Sequence, residues 1–205
     1  MSPASGNLDA HRATMRSRIL VAVRELALTR GVDKVSFADV AAQAGLARSV
    51  VYHYFPDKRA LLIAHAEDET TRFMDAFTAA LSGTASATER LRLYVRMQLT
   101  DFVEHPQPAG PELAVLLGPD GYERMHAHVR PLATLLTEIV AEGMASGEFA
   151  TGDPGAAAAL VHGCLGAERH PLGQGHHDLA ATIGRVTAFV LRGMGADENA
   201  SPRLE

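Results

Sequence analysis

The sequence predicts an all-α protein, with an N-terminal head of three helices followed by a larger helical bundle, about nine helices in all. Three observations carry this. Apolar residues recur at three-to-four spacing in segment after segment, the period of a helix with one buried face. The segments are bounded by helix punctuation, with Ser36-x-x-Asp39, Asp57 and Asp153-Pro154 at starts and Gly31, Gly45 and Gly147 at ends. The chain has 205 residues and 47% hydrophobic content, enough to pack a core in one large domain or two small ones.

Residues 1–13 are small, polar and aperiodic, which predicts a disordered arm. From Arg16 to Arg30 the positions Ile19, Leu20, Val23, Leu26 and Ala27 form one apolar stripe, and Gly31 stops the helix. Ser36 caps a second helix, and Asp39 completes the reciprocal satisfaction of backbone donors. Phe37, Val40, Ala41 and Ala44 face inward, and Gly45 supplies the positive φ that ends this helix. Leu46 plugs the turn. Val51 and Phe55, four apart, make the inner stripe of a third helix that ends before Pro56. The expected boundaries are a head at 14–56, a second domain at 57–200 and a flexible tail at 201–205.

Asp57 starts a long helix through Leu61, Leu62, His65, Phe73, Phe77 and Leu81, whose first turn serves the head and whose aromatic half packs into the second domain. The segment from Thr88 to Glu104 carries Leu91, Tyr94, Val95, Met97, Leu99, Phe102 and Val103 on more than one face, which predicts an interior helix. A proline-rich loop and a short helix from Glu112 to Leu117 follow. Beyond Gly118-Pro119 a long helix runs from Asp120 to Gly147, with a kink near Ala127 expected from Pro131. Asp153-Pro154 opens a helix through Leu160, Val161, Cys164 and Leu165, crowded with small residues and followed by a loop at RHPLGQGHH. The last helix, from Asp178, shows Leu179, Ile183, Val186, Val190 and Met194 as one stripe. Two such terminal helices, paired with the same two from a second copy, make a four-helix interface.

The second and third helices read as a helix-turn-helix. Left on the outer face of the third are Arg48, Ser49, Val50, Tyr52, His53 and Tyr54, residue types suited to a DNA groove. Arg makes paired hydrogen bonds to guanine and Val meets a thymine methyl. The charge is distributed accordingly. Residues 1–62 hold nine Lys/Arg against five acids, leaving ten against nineteen in the rest of a chain whose net charge is −5. A positive module on an acidic body suits attraction to phosphate and disfavours wrong orientations.

The run Val40-Ala41-Ala42-Gln43-Ala44-Gly45-Leu46, then Val51-Tyr52-His53-Tyr54-Phe55-Pro56-Asp57-Lys58 and Leu61-Leu62, closely resembles the tetracycline-repressor (TetR) family of transcriptional regulators. The resemblance implies that Tyr52 and Lys58 hold phosphates while Arg48, Ser49, Val50 and His53 face bases, with Ser36 and Tyr54 also at the DNA. It implies a homodimer through the last two helices, a palindromic double-stranded operator, an unidentified small-molecule effector and, most commonly, repression. Ala47 departs from the pattern, standing where the family commonly has a Ser or Thr cap that contributes about 1 kcal/mol.

The resemblance covers the second domain as architecture only. Tyr94, Met97, Gln98, Phe102, Met125 and His162 are the candidate effector-binding residues, because they combine adaptable apolar bulk with hydrogen-bonding tips; each serves a plain core equally well. No catalytic residue, metal ligand or cofactor is assigned. Glu168, His170, His176 and His177 lie close in sequence, but no His-Glu-x-x-His, cysteine pair or glycine-rich phosphate loop is present. Cys164, the single cysteine, reads as a packing residue. No window approaches the roughly 20 apolar residues that span a bilayer, and the opening lacks the apolar core of a signal peptide, so no membrane role and a cytoplasmic place are expected. The rival reading is a helical small-molecule sensor whose head docks to a protein.

Overall fold

The computed structural model describes residues 3–81, 86–105 and 110–196, with side chains from residue 9 onward; of those at 110–130 it covers only 118, 123, 127 and 130. The expected tail at 201–205 and the side chain of Met125 lie outside the described residues. Among those described the chain forms eight helices and no strand. They are α1 (Pro3–Arg30), α2 (Phe37–Ala44), α3 (Arg48–Tyr54), α4 (Lys58–Ala80), α5 (Ala87–Glu104), α6 (Gly110–Ser146), α7 (Pro154–Gly173) and α8 (Leu179–Gly193). A single 3-10 turn, Val32–Lys34, joins α1 to α2. Gly118, at φ 67° and ψ 172°, breaks α6 between the short and the long helix that the sequence predicts, a left-handed backbone that glycine adopts without Cβ strain.

The chain divides into two compact units, Met1–Glu69 with His105–His128, and Thr70–Glu104 with Val129–Glu205. That division falls elsewhere than the expected boundary at 56/57, because the first turns of α4 are part of the head's own core.

In the first unit, Ile19, Leu20, Val23 and Leu26 of α1 pack with Phe37, Val40, Ala41 and Ala44 of α2, Val51 of α3, Phe55, and Leu61 and Ala64 of α4. Each fully buried aliphatic side chain here contributes about 1.5–3 kcal/mol. α1 begins at Pro3, not near Arg16. The stretch expected as a disordered arm is therefore helical from residue 3, since extending a helix already anchored by its packed turns is far cheaper than nucleating one. Within it Thr14 Oγ1 donates to the Ala10 carbonyl at 2.9 Å.

Arg24 ties α1 to α4, its Nε donating to Glu69 Oε1 at 2.6 Å and its Nη2 to Asp68 Oδ2 at 2.5 Å. Beside this pair His65 is buried, its Nδ1 4.0 Å from Glu69 Oε1 and without a hydrogen-bond partner; His105 Nε2 lies 3.6 Å from Glu69 Oε2. Burial holds the His65 pKa below its usual value, outweighing the opposing fields of Glu69 and Asp68, while Arg24 and His105 reinforce the shift. The unfolded chain then binds a proton that the folded chain resists, so stability falls as pH drops below about 6.5, with a slope of at most about 1.4 kcal/mol per pH unit. Urea unfolding between pH 5 and 7.5 is expected to show that slope and to lose part of it in His65→Gln; an unchanged slope would show that His65 titrates freely in the fold.

The second unit packs Phe73 and Phe77 of α4, Leu91, Tyr94, Val95, Leu99 and Phe102 of α5, Leu136, Ile139 and Val140 of α6, Val161 and Leu165 of α7, and Val186 and Val190 of α8. α5 packs against both α7 and α8, while Arg92, Arg96 and Val103 face outward. Among the described residues of α6 only Gly118 leaves helical dihedrals, so the bend expected near Ala127 is not expressed as a break there; Ala127 and Pro131 are exposed, and water can satisfy the carbonyl that Pro131 leaves free.

α7 continues beyond its expected end to Gly173, so Glu168, Arg169 and His170 are helical and Pro171 sits in the last turn. Leu172, buried in the core, holds that turn, and Pro171 and Leu172 carbonyls accept from His176 and Gly175. In α8 the predicted stripe turns into the chain's own core: Val186, Val190 and Met194 are buried and Leu179 and Ile183 pack against them.

Candidate nucleic-acid interface and effector site

Local chemistry sets the helix-turn-helix. Ser36 Oγ accepts from the Asp39 amide at 3.2 Å and Asp39 Oδ2 accepts from the Ser36 amide at 3.3 Å, closing the capping box the spacing predicts. Hydrogen bonding from Ser36, joined by Arg30 at 3.1 Å, holds the Asp39 carboxyl below its usual pKa. Gly45 takes φ 62° and ψ 42°, and the Leu46 amide reaches back to the Ala41 carbonyl at 2.8 Å. Ala47 begins α3 with no side-chain cap.

α3 places Val51 and Phe55 inside and leaves Arg48, Ser49, Tyr52 and His53 exposed; Val50 and Tyr54 are half-buried, Tyr54 against the head's core. The Tyr52 ring meets Phe37 edge-on, with centroids 4.5 Å apart at 81°. On that supported ring lies Arg48, its guanidinium carbon 5.5 Å from the centroid and its Nη2 donating to the Tyr52 hydroxyl at 3.1 Å. Both side chains thus give up rotamer freedom before any partner arrives. The His53 and Tyr54 rings meet edge-on at 5.4 Å. Lys58 donates to the Asp33 carbonyl, which uses one of its three N–H groups and fixes the ammonium beside the 3-10 turn. Arg16 lies over the Phe55 ring, 5.7 Å from its centroid, and pairs with Glu67 at 3.2 Å.

In the second unit four of the six candidate effector residues lie on stripes of α5 and α7, Tyr94, Gln98 and Phe102 on the first and His162 on the second. Tyr94 is 0% exposed, enclosed edge-on by Phe73 and Phe77, and its hydroxyl lies 2.8 Å from His162 Nε2 and 3.3 Å from the Leu132 carbonyl. Burial pushes the Tyr94 phenol up and the His162 imidazole down, keeping both neutral. One helical turn on from Tyr94, Gln98 is buried; Met97 packs at the core's edge. Another turn on, Phe102 carries the Arg169 guanidinium 4.1 Å above its ring centroid. The structure therefore brings Tyr94, Gln98, Phe102 and His162 together.

Sequence reasoning left two features out of the site. The Arg48–Tyr52 pairing was legible as an i, i+4 spacing on one helix. Arg169 was legible only as a basic residue seven positions beyond His162, on the same face. Of the residues close in sequence, Glu168 and His177 come together, Glu168 hydrogen-bonding His177 Nδ1 at 2.7 Å and pairing with Arg185 Nη2 at 3.0 Å, while His170 and His176 are exposed. Those contacts occupy both carboxylate oxygens.

Residues 19–65 match the family model for bacterial regulatory proteins of the tetR family, and residues 87–181 match that for the tetracyclin repressor-like C-terminal domain. The chain is 28% identical over 192 residues to the HTH-type transcriptional regulator AlkX of Mycobacterium tuberculosis, across 90% of this chain and 89% of that one. Among solved structures it is similar to the regulator FadR of Bacillus subtilis in complex with stearoyl-CoA, at TM-score 0.72 and 20% identity, over 86% of this chain and 98% of that one. It is similar also to RolR in complex with resorcinol, at TM-score 0.64 and 23% identity, over 92% and 91% of the two chains.

Proposed function

The chain belongs to the TetR family of bacterial transcriptional regulators, and from that premise we propose that it is a ligand-responsive repressor, released from a palindromic operator by a small molecule. The observation that carries the DNA-reading part is the Arg48–Tyr52 pair, exposed on α3 and held in place by Phe37. Arg48, Ser49, Val50 and His53 read bases, and Tyr52 and Lys58 hold phosphates, with Ser36 and Tyr54 at the margins of the contact. Val50 and Tyr54, being half-buried, contribute a narrower surface than Arg48 and His53.

Residues 14–56 form the DNA-reading part in this proposal and 57–200 the ligand-binding and dimerising part, acting as a homodimer in the cytoplasm. The dimer uses the outer faces of α7 and α8. There Leu160 and Phe189 are 73% and 60% exposed, and a Cβ added at Gly163 or Gly166 would meet nothing within 4 Å. Small residues and exposed large apolar side chains on these two helices suit close helix packing. α4 runs through both units, so an effector that favours one setting of α4 changes the spacing of the two heads. Binding then weakens once they no longer match major grooves roughly 34–36 Å apart. The molecules bound in the two similar structures, stearoyl-CoA and resorcinol, differ widely in size and charge and do not select one for this chain.

Selection of bound DNA from a random library is expected to enrich a palindrome. On that operator Arg48→Ala weakens binding at one base position by about 1–3 kcal/mol, whereas Lys58→Ala weakens it evenly over all sequences and lowers the salt slope by about one. Equal losses on all DNA for both changes would remove the division of roles. No enrichment at low salt by a folded dimer would favour the sensor that acts through a protein partner.

A further inference from the structure

We propose that the effector is an apolar carboxylic acid whose carboxylate pairs with Arg169 in the second unit, while its body runs along α5 and α7 past Gln98 toward the Tyr94–His162 pair. This rests on the reading of that unit as an effector-binding domain.

Arg169 is the unusual group. Its guanidinium carbon lies over Phe102, 4.1 Å from the ring centroid, yet among the described residues no carboxylate comes within 4.0 Å of it. Desolvation is the main influence on it and lowers its pKa; Asp101 opposes that from beyond ion-pair distance. The side chain is half-buried, so its charge is partly withdrawn from water with no carboxylate inside ion-pair distance, and a carboxylate brought alongside would supply a partner. A guanidinium held over an aromatic ring has five N–H donors, enough for a two-point bond to a carboxylate.

The neighbouring groups set the rest of the ligand. Gln98 is 6% exposed and its amide makes no hydrogen bond among the described residues, so a donor and an acceptor remain one turn of α5 from Phe102. The Tyr94–His162 pair, neutral and hydrogen-bonded, closes the stripe, and His162 stands seven residues before Arg169, about 10 Å along α7. Between these ends stand the apolar side chains of Phe102, Leu165 and Val161, all part of the buried core. The stripe therefore offers a cation at one end, a neutral polar pair at the other and apolar surface with one amide between.

The test uses the purified full-length protein, first shown to bind its selected operator. Dodecanoate, 12-hydroxydodecanoate and 4-hydroxycinnamate are each titrated calorimetrically against their primary amides, with Arg169→Met and Arg169→Lys beside the wild type. At least one acid is expected to bind, about 10–100-fold more tightly than its amide, with that margin lost in Arg169→Met and partly kept in Arg169→Lys. Without ligand, Arg169→Met is expected to leave Tm within about 2 °C of the wild type, because a half-buried guanidinium with no carboxylate inside ion-pair distance is replaced by a side chain that keeps the packing on Phe102. A Tm lowered by more than about 4 °C in Arg169→Met would reveal a structural partner for Arg169 and overturn the proposal. So would acids binding no better than amides, acids binding equally well to Arg169→Met, or no binding of any acid to a protein that holds its operator. Loss of operator binding by the wild type itself would instead sink the regulator reading, which keeps the two failures apart.

Discussion

The double change Leu160→Glu and Phe189→Glu is expected to leave a folded monomer whose operator affinity is lower by roughly 10²–10⁴-fold, the factor lost when two linked contacts become one. The two side chains are the large apolar groups left exposed on α7 and α8, and neither belongs to the core of its own chain. Replacing them should therefore cost little in monomer stability, while two like charges brought against their copies across a two-fold axis oppose assembly. Sedimentation gives the oligomeric state, and titration of a full operator beside an isolated half-site separates dimer loss from damage to the head. Half-site affinity should be unchanged. A variant that remains dimeric would place the interface elsewhere.

Gly143→Ala is expected to destabilise the second unit by about 2–3 kcal/mol, although alanine is ordinarily the better helix residue by up to about 1 kcal/mol. Phe149 is 3% exposed and its ring lies across α6 at this point; a Cβ on Gly143 would stand 2.2 Å from Phe149 Cδ2 and 2.3 Å from Cε2. No real contact is that short, so the ring must leave its site or the helix must move. The Phe149 amide also donates to the Gly143 carbonyl at 2.9 Å, which resists that movement. Phe149→Ala alone should cost about 3–5 kcal/mol through lost burial and the cavity left behind. In that background Gly143→Ala becomes neutral or favourable, because the clash is gone. Chemical denaturation of the four proteins of this cycle measures the coupling, and a neutral Gly143→Ala in the wild type would show that the ring is not pinned.

Where interactions join residues three or four apart, the sequence alone was sufficient. The Ser36–Asp39 box, the left-handed Gly45, the buried pair Val51 and Phe55 and the exposed Arg48, Ser49, Tyr52 and His53 follow from short spacing and residue type, and the structure has them all in place. The all-α class and the TetR membership were legible for the same reason, since helix period and motif are local properties. The break at Gly118-Pro119 was legible too, because glycine and proline act on their own backbone.

What the tertiary structure decided involves partners far apart in the chain. The first turn of α5 is capped by Glu148, which accepts from the amides of Ala87 at 3.1 Å and Thr88 at 2.9 Å, a contact across some sixty residues that no spacing rule anticipates. α8 has apolar residues on two faces, and only packing shows that Val186, Val190 and Met194 serve the chain's own core while Phe189 is left outside. The helical start of α1 at Pro3 and the continuation of α7 past Pro171 depend on neighbouring packed turns, which outweigh weak local preferences. Arg169 could be read from the sequence as one more basic residue; its position over Phe102, away from any close counter-charge among the described residues, exists only once α5 and α7 lie side by side. Helix identity is local in this protein, whereas burial, and with it the chemistry of a charged group, is set by what the fold brings next to it.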